Sequence, residues 1–314
     1  MYKKLLLTAT LAVSSIFATA QAENPKFLSM LTGGTGGTYY PLGGAIAKII
    51  SDETGIKTDA LSSNASADNI IAVNNGEAEI AFTQTDVAAY AIDGVNNFEG
   101  KKVEGIQALG SLYPETVQIV TTDKSGIKTV NDLKGKKVSV GAPGSGTYVS
   151  AEQILEVYGL NMNDIRAQHL DFGESVGGIQ DGNIDAAFIT AGTPTGAVEQ
   201  LTATAKVSVL PIDGEEAKKL IDKYPFYGVN TIKQGTYGLA NDVNTVAVLA
   251  MLVVKKDLPE DAVYNITKAI YENVDKISHA KAKEISLNKA LDGVGFDLHP
   301  GAKKYYEEKG LEVK

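Results

Sequence analysis

The sequence contains no cysteine and no tryptophan, and Arg166 is its one arginine. Without cysteine the protein has no disulfide framework, no thiol nucleophile and no residue for lipid attachment. The absence of tryptophan disfavours a sugar site built on stacked indoles. Arg166 precedes a predicted strand, at the end away from any cleft. A carboxylate ligand therefore cannot be held by the usual bidentate guanidinium.

Catalytic, metal and cofactor signatures are equally scarce. The three histidines, His169, His279 and His299, are far apart and match no ligand spacing. No pattern matches a nucleophile elbow, a dinucleotide fingerprint or a phosphate-binding loop. Asp171 and Glu174 are interpreted as acids that complement a helix dipole and not as a catalytic pair. We therefore expect no catalytic residue, no metal site and no cofactor.

The first 22 residues predict export. Lys3 and Lys4 precede an apolar run that ends near an Ala-Gln-Ala cleavage site, with cleavage after Ala20 or Ala22 left open. Removal of residues 1–22 takes away these two lysines and changes the formal charge from −9 to −11. An acidic chain without a basic cluster argues against nucleic acid and anionic membranes as partners. We expect a monomer that is not inserted in a membrane and diffuses in a Gram-negative periplasm.

Two glycine-rich turns organise the chain. A short apolar run ends at Gly33, and an amphipathic helix pattern starts at Tyr39; the same design recurs from Lys137 to Tyr158. Glycines allow close backbone approach to a ligand, and the unpaired N–H groups of a helix start attract anions. Either turn alone is also typical of α/β proteins that bind nothing. Together they predict two similar lobes that direct helix N-termini at one ligand.

Alternation of strand and helix patterns predicts an α/β fold with doubly wound sheets. Two strand-like stretches, around Leu112–Glu115 and Thr245–Lys255, are interpreted as crossings between lobes, with Pro114 interrupting the sheet ladder of the first. Lobe I then comprises residues 23–112 and 245–314, lobe II comprises residues 113–244, and two strands form the hinge. Three local predictions accompany this division: a loop at Tyr224–Gly238, a helix capped by Thr193 with Pro194 at its first position, and a helix from Pro259 to about His279.

Glu115 has two interpretations. Beside Tyr113 at the first crossing, it either faces the cleft and meets an ammonium group of the ligand or is a solvated turn residue. The sequence alone does not separate these interpretations.

Four motifs resemble the TAXI family of periplasmic solute receptors, which serve tripartite ATP-independent periplasmic (TRAP) transporters. They are TGGTGGTYYP from Thr32, QTD from Gln84, LYPE from Leu112, and the Gly141–Thr147 turn. The resemblance covers essentially the whole mature chain. It implies a two-lobed type II periplasmic binding protein fold, a C5 ligand such as glutamate, glutamine or 2-oxoglutarate, and delivery to an ion-gradient-driven TRAP permease.

Together, the strand ends and the resemblance give a predicted ligand site without catalytic residues. The predicted residues are Thr35, Gly36, Gly37, Thr38, Tyr39, Ser62, Asn64, Gln84, Tyr113, Glu115, Ser145, Gly146, Thr147, Gly192 and Thr193. Closure of the hinge is expected to trap a small carboxylate between the lobes. Three alternatives remain: a receptor for an ABC importer, a secreted hydrolase, and an adhesin or surface antigen.

Overall fold

The computed structural model describes residues 24–313. The predicted signal peptide at residues 1–22 lies outside this range. Across residues 24–313 no helix combines the length and apolar character needed to cross a membrane.

Within residues 24–313, ten strands form one sheet. The strands are β1 (Phe27–Leu31), β2 (Lys57–Leu61), β3 (Ile80–Gln84), β4 (Ile106–Thr122), β5 (Lys137–Ser139), β6 (Arg166–Gln168), β7 (Ala186–Ala191), β8 (Val207–Leu210), β9 (Gly228–Ile232) and β10 (Val243–Lys255). Their order in the sheet is β2-β1-β3-β10-β4-β7-β5-β6, with β8 paired to β4 and β9 paired to β10. Strands β1, β2 and β3 are mutually parallel, as are β5, β6 and β7, which agrees with the predicted alternation of strand and helix.

Helices follow most of the strands. They are α1 (Tyr39–Thr54), α2 (Ser66–Asn74), α3 (Thr85–Asp93), α4 (Gly146–Val157), α5 (Phe172–Gln180), α6 (Gly196–Thr202), α7 (Gly214–Lys223), α8 (Glu260–Glu272) and α9 (Pro300–Glu308). In α1, Leu42, Ile46 and Ile50 are fully buried because their spacing places them on one face. Gly55 ends this helix at a positive φ of 73°, the conformation that glycine adopts without a Cβ penalty.

Strands β4 and β10 join the two halves of the molecule. They pair antiparallel along most of their length, and the pairing register shifts between Leu249 and Met251. The prediction that Pro114 interrupts the ladder is wrong, because β4 runs through it and Pro114 lies opposite Leu249. The register shift next to Pro114 accommodates a residue that has no N–H group to donate.

Residues along each of these two strands belong to two different hydrophobic clusters. Tyr113 packs in one large cluster with α1, α8 and α9, whereas Val117 packs in a second cluster with α4. In β10 the change occurs between Val248 and Ala250. The lobe boundaries at residues 112 and 245 stay predictions, and these core changes fall within a few residues of them.

Three local predictions need correction. The segment Tyr224–Gly238 contains strand β9, whose residues pair with β10 at the edge of the sheet. The helix predicted to reach His279 ends at Glu272 and is followed by a 3-10 turn. Helix α6 starts at Gly196 with Thr195 at its N-cap, not Thr193, and the Thr195 hydroxyl accepts a 2.9 Å hydrogen bond from Gln118.

Candidate functional site

The two glycine-rich turns converge on one cavity. Helix α1 starts after Thr38, which makes no side-chain cap, and helix α4 starts after Ser145, whose hydroxyl accepts a 3.1 Å bond from Tyr148 N–H. First-turn N–H groups have no partner within their own helix. The cavity is lined by Gly34, Gly37, Thr38, Tyr39, Ser63, Asn64, Ala65, Ser66, Gln84, Glu115, Ala142, Ser145, Gly146, Thr147, Asp171, Phe172, Thr190 and Ala191. Two helix starts, one from each predicted lobe, thus lie at the same cavity.

Nine predicted site residues line this cavity. They are Gly37, Thr38, Tyr39, Asn64, Gln84, Glu115, Ser145, Gly146 and Thr147. They come from the end of β3, from the segments that follow β1 and β2, from β4, and from the start of α4 with its N-cap. Their contact with a ligand stays a prediction, but the structure brings them together.

Six predicted residues lie elsewhere. Thr35 and Ser62 are exposed, and Tyr113 is buried in the core. Gly36 and Gly192 take part in contacts between the lobes through their carbonyl groups, and Thr193 follows Gly192 with its hydroxyl buried. The structure therefore brings both predicted turns to the cavity but places these six positions outside its lining.

Sequence reasoning missed half of the lining residues. Ser63 lines the cavity in place of Ser62, because successive side chains at a strand end point in opposite directions. Asp171 and Phe172 follow strand β6, at the same carboxyl edge that drew attention to the other strand ends. Asp171 also caps α5, where its Oδ1 accepts a 2.8 Å bond from Glu174 N–H, as the dipole interpretation requires. The strand-end rule could have found these residues.

The charged side chains that line the cavity, Glu115 and Asp171, are both acidic. The single arginine, Arg166, is an exposed residue of the sheet-edge strand β6 and is not among the lining residues. Lys281, with a side chain only 8% exposed, lies behind Gly192 and pairs with Glu284 at 2.7 Å. Any anion held here must therefore rely on N–H groups, hydroxyls and amides.

Glu115 is buried, at 2% exposure, so its interpretation as a solvated turn residue is wrong. Its Oε2 lies 2.7 Å from the Tyr39 hydroxyl and 3.1 Å from Gln84 Nε2. Burial raises the pKa of Glu115 to about 8; the charge of Asp86 also raises it, while the bonds from Tyr39 and Gln84 and the charge of Lys281 lower it. This carboxyl group gains a proton easily near neutral pH.

The two predicted lobes touch across the cleft between them. The Thr38 hydroxyl donates to the Gly192 carbonyl at 3.2 Å, and Ala197 N–H donates to the Gly36 carbonyl at 3.0 Å. On the other side, Ala67 N–H donates to the Gly144 carbonyl at 2.9 Å. Each bond joins predicted lobe I to predicted lobe II, so the cleft is closed in this structure.

Within residues 24–313, no three His, Asp or Glu side chains are grouped so as to hold a metal ion. The imidazoles serve other purposes: His279 and His299 accept backbone N–H bonds at helix starts, and the His169 ring lies 5.5 Å from that of Tyr148.

Solved structures share this fold. A protein from Bordetella bronchiseptica RB50 is 20% identical, with a TM-score of 0.56 over 90% of this chain and 82% of that chain. PhnD1 from Prochlorococcus marinus, in complex with methylphosphonate, is 11% identical, with a TM-score of 0.54 over 91% and 98%. A putative L-cystine ABC transporter from Listeria monocytogenes is 15% identical, with a TM-score of 0.50 over 84% and 98%.

These matches confirm the predicted α/β fold of periplasmic binding proteins, and at such low identity they show the fold alone. The NMT1-like family matches residues 30–310 of the sequence, which is most of its length. This chain belongs to the NMT1-like family.

Proposed function

We propose that this protein is an exported solute receptor, not an enzyme, which captures a small carboxylate between its lobes and passes it to a membrane transporter. The observation that carries the proposal is the pair of helix starts, α1 from lobe I and α4 from lobe II, at one closed cavity. A ligand held between the two lobes favours the closed form, because the full set of contacts exists only there.

Neutral groups of the protein make the contacts with the anion. Each helix N-terminus contributes about 0.3–1 kcal/mol toward a negative charge, and up to about 2 kcal/mol when partly buried. The hydroxyls of Ser145 and Thr147 accept backbone N–H bonds and keep their own hydrogens to donate, so each adds roughly 1 kcal/mol through a hydrogen bond to the anion. The Thr38 hydroxyl donates its hydrogen to the Gly192 carbonyl and does not add such a bond. We propose that Ser145 and Thr147, with Gly37, Thr38, Tyr39, Asn64, Gln84, Glu115 and Gly146, form the ligand site. The other six predicted residues do not line the cavity.

A C5 acid is the proposed ligand class. The support is the TAXI resemblance of the turns before α1 and α4, together with the amide and hydroxyl groups of the cavity. Such groups suit a ligand that carries several oxygen atoms.

The transporter partner has two candidates. The motifs resemble receptors of TRAP permeases, which use an ion gradient. The structural comparisons favour the alternative, an ABC importer, since a neighbour of the same fold is described as a putative L-cystine ABC transporter. Genes beside this one would decide: a fused multi-helix permease indicates TRAP, and an ATPase indicates ABC. Uptake that persists when ATP is depleted but the ion gradient is kept would support TRAP directly.

The proposed ligand class is tested by thermal shift. Purified mature protein is screened with glutamate, glutamine, 2-oxoglutarate and shorter and longer dicarboxylates. A bound ligand at 100 times its Kd stabilises the fold by about 2.7 kcal/mol, which is a clear shift of the midpoint. We expect at least one C5 acid to give this shift and sugars to give none. A panel in which sugars or cations stabilise and C5 acids do not would contradict the proposal.

Gly37→Val tests the backbone contribution. A Cβ at Gly37 would lie 3.3 Å from the Phe172 ring across the cleft and 3.4 Å from the Gly34 carbonyl. Valine adds two methyl groups beyond this Cβ, at a position that lines the cavity. We expect at least a tenfold loss of C5-acid affinity by calorimetry, with the thermal midpoint of the free protein changed by only a few degrees. Gly44→Ala, where a Cβ meets nothing within 4 Å, is the control. Wild-type affinity in Gly37→Val would refute the backbone cradle.

A further inference from the structure

The hydroxyl of Tyr39 lies beside two oxygen atoms, and its single hydrogen can be donated to only one of them. It lies 2.9 Å from the Thr83 carbonyl oxygen and 2.7 Å from Glu115 Oε2. A phenol donates one hydrogen, and a carbonyl oxygen can only accept. If Glu115 were ionised, Tyr39 could donate its hydrogen to only one of these two acceptors. Its own oxygen would then face the other acceptor with no hydrogen between them.

If Glu115 carries a proton, both contacts of the Tyr39 hydroxyl become hydrogen bonds. Glu115 Oε2–H then donates to the Tyr39 oxygen, and Tyr39 donates its hydrogen to the Thr83 carbonyl. Gln84 Nε2, at 3.1 Å, donates to a remaining lone pair of the same Oε2. We infer that the closed cleft binds its anionic solute together with one proton, which is held on Glu115. This inference rests on the proposed function, because it assumes a carboxylate ligand in this cavity.

The groups around Glu115 agree with this assignment. Tyr39 on α1 and Tyr113 on β4 are neutral, and burial raises the pKa of both phenols well above the ordinary value. Asp86 on α3 is also fully buried, and its negative charge opposes ionisation of Glu115. Lys281, whose positive charge lowers the pKa of Glu115, directs its amine to Glu284 at 2.7 Å. No group on these elements compensates an ionised Glu115 and an anionic ligand together.

The expected dependence of ligand affinity on pH follows from whether binding requires the uptake of a proton. Burial already raises the pKa of Glu115 to about 8, and an anion placed beside it raises the pKa further. Below about pH 7 the free protein carries the proton already, so affinity does not change with pH. Above pH 8 the proton must be taken up on binding, so affinity falls by up to about tenfold per pH unit.

Calorimetry with 2-oxoglutarate tests the inference, because this acid has no group that titrates between pH 6 and 9. Titrations at each pH in two buffers that both buffer at that pH and differ in ionisation enthalpy give the number of protons exchanged. We expect close to zero at pH 6 and an uptake approaching one proton at pH 9.

Two variants identify the group. Glu115→Gln is expected to lose both the uptake and the fall of affinity above pH 8. Asp86→Asn is the matched control, because Asp86 is a second buried carboxyl group and burial raises its pKa to about 7. It should retain the uptake. If Glu115→Gln does not fold, the wild-type proton count at pH 9 still decides.

The other possible results contradict either this inference or the proposed function. Binding of 2-oxoglutarate without uptake at pH 9, or uptake lost in Asp86→Asn but not in Glu115→Gln, would overturn the inference. So would a protein that binds glutamate but not 2-oxoglutarate, since Glu115 would then be ionised against the ammonium group; the proposed receptor function would survive that result. If no C5 acid binds at all, the proposed function itself fails.

Discussion

Gly146→Ala is expected to abolish tight ligand binding while the protein stays folded. Gly146 begins α4 in predicted lobe II, and an added Cβ would overlap the Oε1 and Cδ atoms of Gln84 from predicted lobe I. It would also lie 2.8 Å from Ser66 Oγ, another lobe I atom. Gln84 is 2% exposed and held by Glu115, so it has little room to withdraw.

The clash exists only when the lobes are closed. Overpacking typically costs 1–3 kcal/mol, which is roughly five- to 150-fold in affinity, and an overlap this severe places the variant at the upper end. We expect an open form to separate Gln84 from Gly146, because the two residues belong to different predicted lobes, and alanine is a better helix former than glycine. We therefore expect a loss of about a hundredfold in C5-acid affinity without a fall in the thermal midpoint of the free protein.

Calorimetry measures the affinity, and small-angle scattering with and without ligand measures closure. The matched control is Gly177→Ala, a helical glycine of the same lobe where a Cβ meets nothing within 4 Å. It should bind and close like the wild type. A Gly146→Ala protein that still contracts on adding ligand would show that the closed cleft tolerates a side chain there.

Gly146 also shows which features of the site could be predicted from the sequence. The turn before α4 was predictable, because apolar spacing and glycine clusters are local signals of strand, turn and helix. The approach of Gln84 to Gly146 was not, since it depends on how two lobes dock across 62 positions of sequence. Glycine in that turn fits a general expectation of flexibility equally well.

The same limit applies to the lining residues. Periodicity locates a strand end to within a residue or two, whereas one residue decides which side chain faces the cavity, as Ser62 and Ser63 illustrate. Glu115 is a second case, because only its place in the continuous strand β4 shows that it is buried. Strand β9 was missed because its stability comes from pairing with β10, not from its own composition.

Gly301→Ala is expected to cause the opposite pattern: a large loss of stability with ligand affinity retained. Gly301 lies in the first turn of α9, where an added Cβ would overlap the Glu260 carbonyl oxygen and lie 2.6 Å from Tyr264 N. Both are backbone atoms of α8, so no side-chain rotation relieves the contact. The two helices would have to separate and loosen Tyr305 and Tyr306, which are fully buried beneath them.

We expect the free energy of unfolding to fall by about 2–3 kcal/mol, the upper part of the range for overpacking. For a domain of this size that is a decrease of about 5–10 °C in thermal midpoint. Gly295→Ala, in the same C-terminal segment with nothing within 4 Å of a Cβ, should leave the midpoint unchanged. Because no residue of α8 or α9 lines the cavity, C5-acid affinity measured well below the midpoint should equal that of the wild type. A Gly301→Ala protein that lost affinity without losing stability would mean that α9 takes part in closure. The contrast with Gly146→Ala therefore separates the glycine that permits binding from the glycine that permits folding.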